Sequence, residues 1–424
     1  MNRKRARPNW FRIILLSLLV LGGAYVNRFI ISTQPSPFVA TSTPTRAPES
    51  FITEAEELFK QGKLVQAMDA YKEAIASRPG DPAVYVALAR VQVFAGLYKE
   101  AQTSAEDALL LNPDNSSAHA VRAWALDFQG EYLEAESSIK RALELDNQNA
   151  LAYAYYVEIL VDSYYNGTGA LDTIEKASEA SRVALALAPD ALESHRARGY
   201  IYEAVGDYEE AIREYEIAVG INKNIPDLHI ALGRNYRTLG IYDQAVEQFT
   251  TADSLNPEDP MPDLFISRTY ATIGEYSKAL QFADSAVTNR PADANLRGNL
   301  GVMYYRNSYW PEAIVELGYV INGGFTKDGD QIDAINLQPN DARTAEYYFT
   351  YGLALARMNK CGEALKIAQM ILARIPADEL AVGNANEIIN RCQKNLEATP
   401  EPLPASPAPA PVSGETLVPA TPTP

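Results

Sequence analysis

Glycine, alanine and proline recur at a fixed step of 34 residues through most of this 424-residue chain. The glycines are Gly62, Gly96 and Gly130, then Gly206, Gly240 and Gly274. One alanine series is Ala67, Ala101 and Ala135, then Ala211, Ala245, Ala279 and Ala313, and Pro79 with Pro113 and Pro257 with Pro291 keep the same step. A period of this length is the signature of a repeat architecture, in which stacked units bury a continuous core between neighbours.

Each mark in the period has a physical reason. Glycine ends a first helix where the backbone needs a left-handed residue. The alanine five residues later lets two helices cross closely, and proline stops the second helix because it lacks an N–H. The apolar residues between these marks follow the i, i+3, i+4, i+7 spacing of one buried helix face. The period therefore predicts a series of helical hairpins.

These marks and the recurring phrases GLYKEA, GEYLEA, GDYEEA, GIYDQA and GEYSKA resemble the tetratricopeptide repeat family. The resemblance implies an all-α fold, a right-handed superhelical solenoid of about nine hairpins. The units are 48–81, 82–115, 116–149, 150–191, 192–225, 226–259, 260–293, 294–327 and 345–378. Residues 379–396 look like a capping helix, so we predict a repeat domain over 48–396.

The chain departs from the family pattern at several points. The first-helix tryptophan is replaced by Phe51, Tyr85, His119, Tyr153, His195, His229, Asp263, Arg297 and Tyr348. Extra residues occur near 163–172 and at 328–344, where Asp328-Gly329 lies between short apolar runs and predicts a small β-hairpin. The nearby carboxylates, Asp328, Asp330 and Asp333, lack the full ligand spacing of a calcium loop, so no metal site is predicted.

The two ends of the chain have a different composition. Basic residues dominate 1–9, which we expect to be cytoplasmic, and the apolar run 10–31 is long enough to be a transmembrane signal-anchor helix. The alternative is a cleaved signal peptide ending near Gly22-Gly23-Ala24, and both interpretations export the repeats. Residues 32–48 read as a Pro/Ser/Thr-rich linker and 397–424 as a disordered Pro-rich tail.

The charge of the chain restricts its partners. The net charge is −17, and residues 1–46 carry seven Lys or Arg and no Asp or Glu, which leaves −24 for the remainder. Because the remainder of the chain is this acidic, it would repel the phosphate backbone of a nucleic acid, and we expect no nucleic-acid partner. The sequence shows no catalytic motif or phosphate loop, and its three histidines share the position of the family's tryptophan. We therefore expect no enzyme activity, no cofactor and no metal.

The resemblance implies that the first helix of each hairpin lines a concave groove. The groove residues predicted on this basis are Arg90, Trp124, Arg196, Tyr200, Arg234, Arg237, Arg268 and Tyr305. Arginine and aromatic side chains on so acidic a chain favour a protein or peptide partner of acidic character, held by a membrane-tethered scaffold or assembly factor. The alternative is an envelope receptor for a small molecule or glycan that stacks on the aromatic residues.

The chain has two cysteines, Cys361 and Cys392. Cys361 lies at the start of the last second helix and Cys392 near the end of the capping helix, which should pack antiparallel to it. Both cysteines then lie at the same end of the array, in an oxidising compartment if the repeats are exported. We predict a disulfide bond between them, and the alternative is two buried thiols.

Overall fold

The computed structural model describes residues 9–31 and 46–397. The first helix, α1, spans Trp10–Val26 and continues as a π-helical turn over Asn27–Ile31. The segment Trp10–Phe29 is long and apolar enough to cross a membrane, as a membrane anchor or a signal sequence would be. Nearly all of the predicted Pro-rich tail, of the predicted linker and of the N-terminal basic segment lies outside the described residues.

Nine consecutive helical hairpins follow, so the predicted helical solenoid is confirmed. Their first helices are α2 Pro48–Lys60, α4 Pro82–Phe94, α6 Ser116–Asp127, α8 Ala150–Tyr165, α10 Leu192–Val205, α12 Pro226–Thr238, α14 Pro260–Thr272, α16 Ala294–Arg306 and α18 Ala342–Arg357. Their second helices are α3 Leu64–Ser77, α5 Tyr98–Leu111, α7 Tyr132–Leu145, α9 Thr173–Leu187, α11 Tyr208–Ile221, α13 Tyr242–Leu255, α15 Tyr276–Asn289, α17 Trp310–Asn322 and α19 Cys361–Arg374. We number the hairpins 1 to 9 in this order.

The turn inside each hairpin depends on one left-handed residue. Gly62, Gly96, Gly130, Gly206, Gly240 and Gly274 all have φ between 72° and 84°. Hairpins 8 and 9 have no glycine there, yet Ser308 and Asn359 adopt φ of 66° and 58°. The packing of the two helices therefore imposes this conformation even on residues that disfavour it.

The small residues of the period lie where helices cross. Ala67, Ala101, Ala135, Ala211, Ala245, Ala279 and Ala313 are fully buried. Where glycine replaces alanine in a first helix, a large neighbour takes the space: a Cβ on Gly233 would lie 2.5 Å from the ring of Phe249. A small residue at one position is thus matched by a large residue at the facing position. The core lies between successive hairpins as several buried apolar clusters.

The residues at the family's tryptophan position share one contact. The side chains of Tyr85, His119, His195, His229 and Arg297 each hydrogen-bond to the carbonyl oxygen six residues earlier, at 2.6–3.2 Å. That carbonyl lies in the loop before the helix, beyond the reach of helical bonding. The histidine side chains therefore connect each loop to the helix that follows it. Among the described residues, no group of three or more His, Cys, Asp or Glu side chains is placed to hold a metal ion.

Two insertions interrupt the repeat. In hairpin 4, α8 has 16 residues and a turn through Asp172 precedes α9. Between α17 and α18, strands β1 (Gly324–Phe325) and β2 (Gln331–Ile332) pair antiparallel, with Phe325 opposite Gln331. The predicted β-hairpin at Asp328-Gly329 is confirmed, and Ile332, fully buried, anchors it to the array.

The array also closes upon itself, which the sequence did not predict. A buried apolar cluster joins residues of hairpins 1 and 2 to residues of hairpins 5 and 6, with Phe59 and Leu88 on one side and Leu192 and Leu228 on the other. Between these hairpins, Asn222 and Asn224 of the α11–α12 loop donate to carbonyl oxygens at the end of α2. We call this contact between hairpin 1 and the α11–α12 loop the closure.

The C-terminal end is covered by helix α20, Glu379–Glu397, which packs on α18 and α19. Its inward residues, Ala381, Ala385, Ile388 and Cys392, are fully buried. The structure pairs Cys392 with Cys361, with their Cα atoms 5.4 Å apart, a separation typical of a disulfide bond.

Candidate binding surface

The cavities of the array are lined mainly by the first helices of the hairpins. We call this surface, formed by α4 to α18, the inner wall. All eight predicted groove residues lie on these helices. Their environments differ between the two halves of the array, and this difference decides which of them can meet a partner.

Trp124 lies at the centre of a buried ionic network in hairpins 3 to 6. Its indole Nε1 donates to Glu158 Oε2 at 2.7 Å, and its ring stacks on Tyr155 with 4.1 Å between centroids. Arg196 donates from Nη1 to both carboxylate oxygens of Glu158, at 2.6 and 2.7 Å, and from Nη2 to Asp227 at 2.7 Å. Trp124 is 1% exposed, so its ring offers no face to a peptide or a sugar.

The charges of this network depend on one another. Burial raises the pKa of Glu158 to about 7, against the lowering effects of Arg196 and of the bond from Trp124. Burial also opposes the charge of Arg196, but Glu158 and Asp227 outweigh it and raise the pKa of that guanidinium. Each partner therefore stabilises the charge of the other, which is the condition for tolerating a buried ion pair.

Two further carboxyl groups extend the network. Asp127, which is 3% exposed, lies beside Asp162 of the next hairpin, and Tyr200 donates its hydroxyl to Asp162. Burial first, and then the charge of Asp162, raise the pKa of Asp127 to about 9. Asp127 therefore favours its uncharged form at neutral pH, because burial and then the neighbouring charge of Asp162 oppose its ionisation.

Arg90 and Arg234 are also paired within the chain. Arg90 contacts Glu193 at 2.5 Å across hairpins 2 and 5, and its guanidinium lies over the ring of Phe59. Arg234 contacts Glu203 at 3.1 Å. Burial opposes their charge, but these carboxylates outweigh it and raise the pKa of both arginines. Five of the eight predicted groove residues are thus occupied by contacts inside hairpins 1 to 6: Arg90, Trp124, Arg196, Tyr200 and Arg234.

The inner wall of hairpins 6 to 9 presents the opposite situation. A cavity of about 220 Å³ is lined by Arg237, Arg268, Arg306 and Arg343, and Glu346 is the one carboxylate in its lining. We call it the arginine pocket. Within the described ranges, Arg237 and Arg268 form no ion pair, whereas Glu346 contacts Arg343 at 2.9 Å and Arg306 at 4.0 Å.

The pKa shifts of the arginines show the same difference between the two halves of the inner wall. Burial first, and then Arg268, Arg343 and Arg234, lower the pKa of Arg237. Burial and Arg343 likewise lower the pKa of Arg268, although Tyr347 hydrogen-bonds to it. Arg90, Arg196 and Arg234, which have carboxylate partners, have raised pKa values, whereas Arg237 and Arg268 have lowered values, so the pocket holds positive charge that the chain does not neutralise.

Aromatic rings and hydrogen bonds hold this pocket in place. The guanidinium of Arg237 lies 5.6 Å from the ring of Phe265, and that of Arg306 lies 5.9 Å from Tyr276. Asn299 at the base of the pocket donates to Ser267 at 2.9 Å. The buried Nε of Arg268 has no hydrogen-bond partner in the described part of the chain. Contacts within the chain therefore position Arg237 and Arg306 at the pocket.

Tyr305, the last predicted groove residue, lies on α16. Its hydroxyl accepts a hydrogen bond from Arg357 Nε at 3.2 Å, and the guanidinium of Arg357 lies 5.2 Å from the ring of Trp310. Tyr305 is half-buried and belongs to the C-terminal half of the inner wall, although it does not line the arginine pocket.

A wider cleft lies where the α4–α5 turn faces α12 and α14. It has a volume of about 830 Å³ and is lined by the aromatic residues Phe94, Tyr98, Phe128 and Phe265, among others. Its charged lining is mixed, with Arg196, Arg234 and Arg290 against Asp227, Glu258 and Asp259. This cleft can take an extended segment but has no preference for the sign of its charge.

The prediction from sequence missed Arg306 and Arg343. Arg237, Arg268 and Arg306 do not occupy one position of the 34-residue period, since each is displaced by about one helical turn from the last. Arg343 follows the insertion, which breaks the register. A search for arginines one turn apart on successive first helices would have found the first three.

Comparisons with known protein families agree with the repeat. Family models described as tetratricopeptide repeat match residues 58–125, 116–149, 193–225 and 230–294. No curated protein matches the chain.

Two solved structures are similar at low identity. A tetratricopeptide repeat protein from Parabacteroides merdae is 16% identical, over 60% of this chain and 98% of that one, with a TM-score of 0.40. PilW, a widely conserved type IV pilus biogenesis factor, is 19% identical, over 48% of this chain and 91% of that one, with a TM-score of 0.42.

Proposed function

Because this chain belongs to the tetratricopeptide repeat family, whose members bind protein partners, we propose that it is a non-catalytic scaffold that holds an acidic segment of another protein on its inner wall. The observation that carries the proposal is the contrast between paired and unpaired arginines. Arg90, Arg196 and Arg234 have carboxylate partners, whereas Arg237 and Arg268 have none among the described residues.

The docking region is the C-terminal half of the inner wall, from α12 to α18. An acidic segment laid along it supplies the negative charge that Arg237 and Arg268 lack, and arginine binds carboxylate and phosphate groups through two parallel hydrogen bonds. The wall is rigid, so little ordering is required of the scaffold. Surface ion pairs contribute about 0.2–1 kcal/mol each, so binding depends on several together and weakens with salt.

The membrane location is part of the proposal. The helix that begins at Trp10 is long and apolar enough to act as an anchor. Five basic residues precede or begin this helix, and Arg28 and Arg46 follow it, which favours a cytoplasmic N-terminus and repeats outside the cytoplasm. Protease added outside the sealed cell membrane should then digest the repeats. Complete protection of the repeats would reverse the proposed orientation.

Site-specific photo-crosslinking in intact cells tests the binding role. A photo-reactive residue in place of Thr272, which is exposed on the rim of the arginine pocket, should give an adduct with a partner protein. The matched control is Gln281, equally exposed but on the second helix α15. The adduct at Thr272 should disappear when Arg237 and Arg268 are both replaced by Gln. An adduct that survives this double substitution, or that forms equally at Gln281, contradicts the proposal.

A further inference from the structure

We infer that the arginine pocket is a site for a phosphate group, a compact divalent oxyanion, on the inner wall. The inference deepens the proposed function and rests on it for the source of the ligand only. It stands on the four guanidinium groups gathered from α12, α14, α16 and α18, four successive first helices.

The charge balance requires an anion of more than one negative charge. Four arginines and one glutamate line the pocket, which leaves three positive charges without a counter-charge. Glu346 is already shared between Arg343 and Arg306, so it is not available to Arg237 or Arg268. A monovalent carboxylate neutralises one of the three charges, whereas a phosphate monoester, with a second pKa of about 6, brings close to two.

The number of hydrogen-bond donors in the pocket also favours a phosphate group over a single carboxylate. Each guanidinium presents several N–H groups in a planar fork, and within the described ranges neither Arg237 nor Arg268 pairs with a carboxylate. A carboxylate offers two oxygens to these forks. A phosphate group offers at least three, arranged so that guanidinium groups from different helices can bind it together.

The size of the pocket suits a compact anionic group. A volume of about 220 Å³ holds a phosphate group with a few water molecules, since each water occupies roughly 30 Å³. It does not hold a folded segment or a helix. The ring contacts of Arg237 with Phe265 and of Arg306 with Tyr276 reduce the ordering cost, because both guanidinium groups are already positioned.

Calorimetric titration of the detergent-solubilised full chain with inorganic phosphate tests the inference. At about pH 7.5, where phosphate is largely divalent, one phosphate per chain should bind, and acetate at the same concentration should not displace it. Replacing Arg268 with Gln should weaken binding at least tenfold, as should replacing the exposed Arg306 with Gln. The matched control, Arg141→Gln, removes an exposed arginine of α7 that pairs with Asp114 and should leave binding unchanged.

A second titration identifies the source of the phosphate. A short peptide with one phosphoserine that binds much more tightly than inorganic phosphate indicates a phosphorylated protein segment, and equal affinities indicate a free anion. The inference is overturned if neither ligand gives heat that depends on Arg268 and Arg306, or if acetate competes equally. Crosslinking at Thr272 without phosphate binding would leave the scaffold standing and remove the phosphate site. Phosphate binding without crosslinking at Thr272 would leave the phosphate site standing and remove the scaffold role.

Discussion

The side-chain amide of Asn224 donates to the carbonyl oxygen of Lys60 at 2.9 Å, although 164 positions separate the two residues. Asn222 makes the equivalent bond to the carbonyl oxygen of Phe59 at 3.2 Å. These carbonyls belong to the last turn of α2, where helical hydrogen bonding ends, and that of Phe59 also accepts from the backbone N–H of Gly62 at 2.9 Å. The α11–α12 loop thus caps a helix from a distant hairpin, and the apolar cluster around Phe59 and Leu228 is sealed from water.

We expect the closure to contribute measurably to stability. Replacing Asn222 with Ala removes its bond to the carbonyl of Phe59, which still accepts from the backbone N–H of Gly62, and should lower the free energy of unfolding by about 0.5–1.5 kcal/mol. Asn112→Ala is the matched control, because Asn112 occupies the same position of hairpin 2 and makes the same local bond to a backbone N–H, but reaches no distant hairpin. Urea titration and hydrogen exchange of the α2 amides would measure both. Equal losses in the two variants would show that the closure contributes nothing.

Arg196 should prove to be a residue that stabilises the fold. Arg196→Met removes the partner of Glu158 and Asp227 and should cost about 3–5 kcal/mol, which is typical of a broken buried ion pair. The cost should be smaller below about pH 7, where Glu158 takes up a proton because burial raises its pKa to about 7. The control Arg122→Met breaks a more exposed pair with Glu106 and should cost less than about 1 kcal/mol. A folded, equally stable Arg196 variant that loses partner capture would instead make Arg196 a binding residue.

Asp127 should make the stability fall with rising pH. Its pKa is raised to about 9 in the folded protein from an ordinary value of 3.8, so the folded state holds a proton that the unfolded state loses. Between these two values the unfolded state binds fewer protons, and the free energy of unfolding decreases as pH rises. Asp127→Asn removes this dependence and should stabilise the protein by at least about 1 kcal/mol at pH 8, and by less at pH 5. Denaturant titrations at both pH values would test it, and a gain independent of pH would contradict it.

The bond between Cys361 and Cys392 should hold the C-terminal cap in place. Closing a loop with a sequence separation of 31 contributes about 3–4 kcal/mol in the chain-entropy model. Cys392→Ser, or reduction of the native protein, should therefore increase hydrogen exchange in α20 before any other helix. Thiol labelling of the untreated protein should detect no free cysteine. Labelling of both cysteines under native conditions would rule out the bond.

The sequence predicted the hairpins well because the period acts locally. Each glycine, alanine and proline mark concerns contacts inside one hairpin or between adjacent ones, as in Ala245, fully buried at a crossing. Ser308 and Asn359 show the limit, since their left-handed backbone follows from packing and not from residue type. The inner face of each first helix also followed from the period, because Arg90, Trp124 and Glu158 are 34 residues apart and all point inward.

The chemistry of that inner face could not be predicted in the same way. Whether an arginine is free or paired depends on carboxylates that lie far away in sequence, as Glu193 lies 103 residues from Arg90. Glu158 and Trp124 are one unit apart, but the period gives no sign that they bond to each other. The arginine pocket was not predicted as a unit because its four arginines occupy different positions of the 34-residue period.

The closure changes how the array would carry a mechanical load. In an open solenoid, tension applied at the first hairpin passes to the fifth through every interface between them. Here Asn222, Asn224 and the apolar cluster connect hairpin 1 directly to hairpins 5 and 6. If the chain is pulled from the side of its N-terminal apolar helix, hairpins 2 to 4 are bypassed and the load reaches the middle of the array in one step. Hairpins 2 to 4 would then carry no load until the closure itself opens.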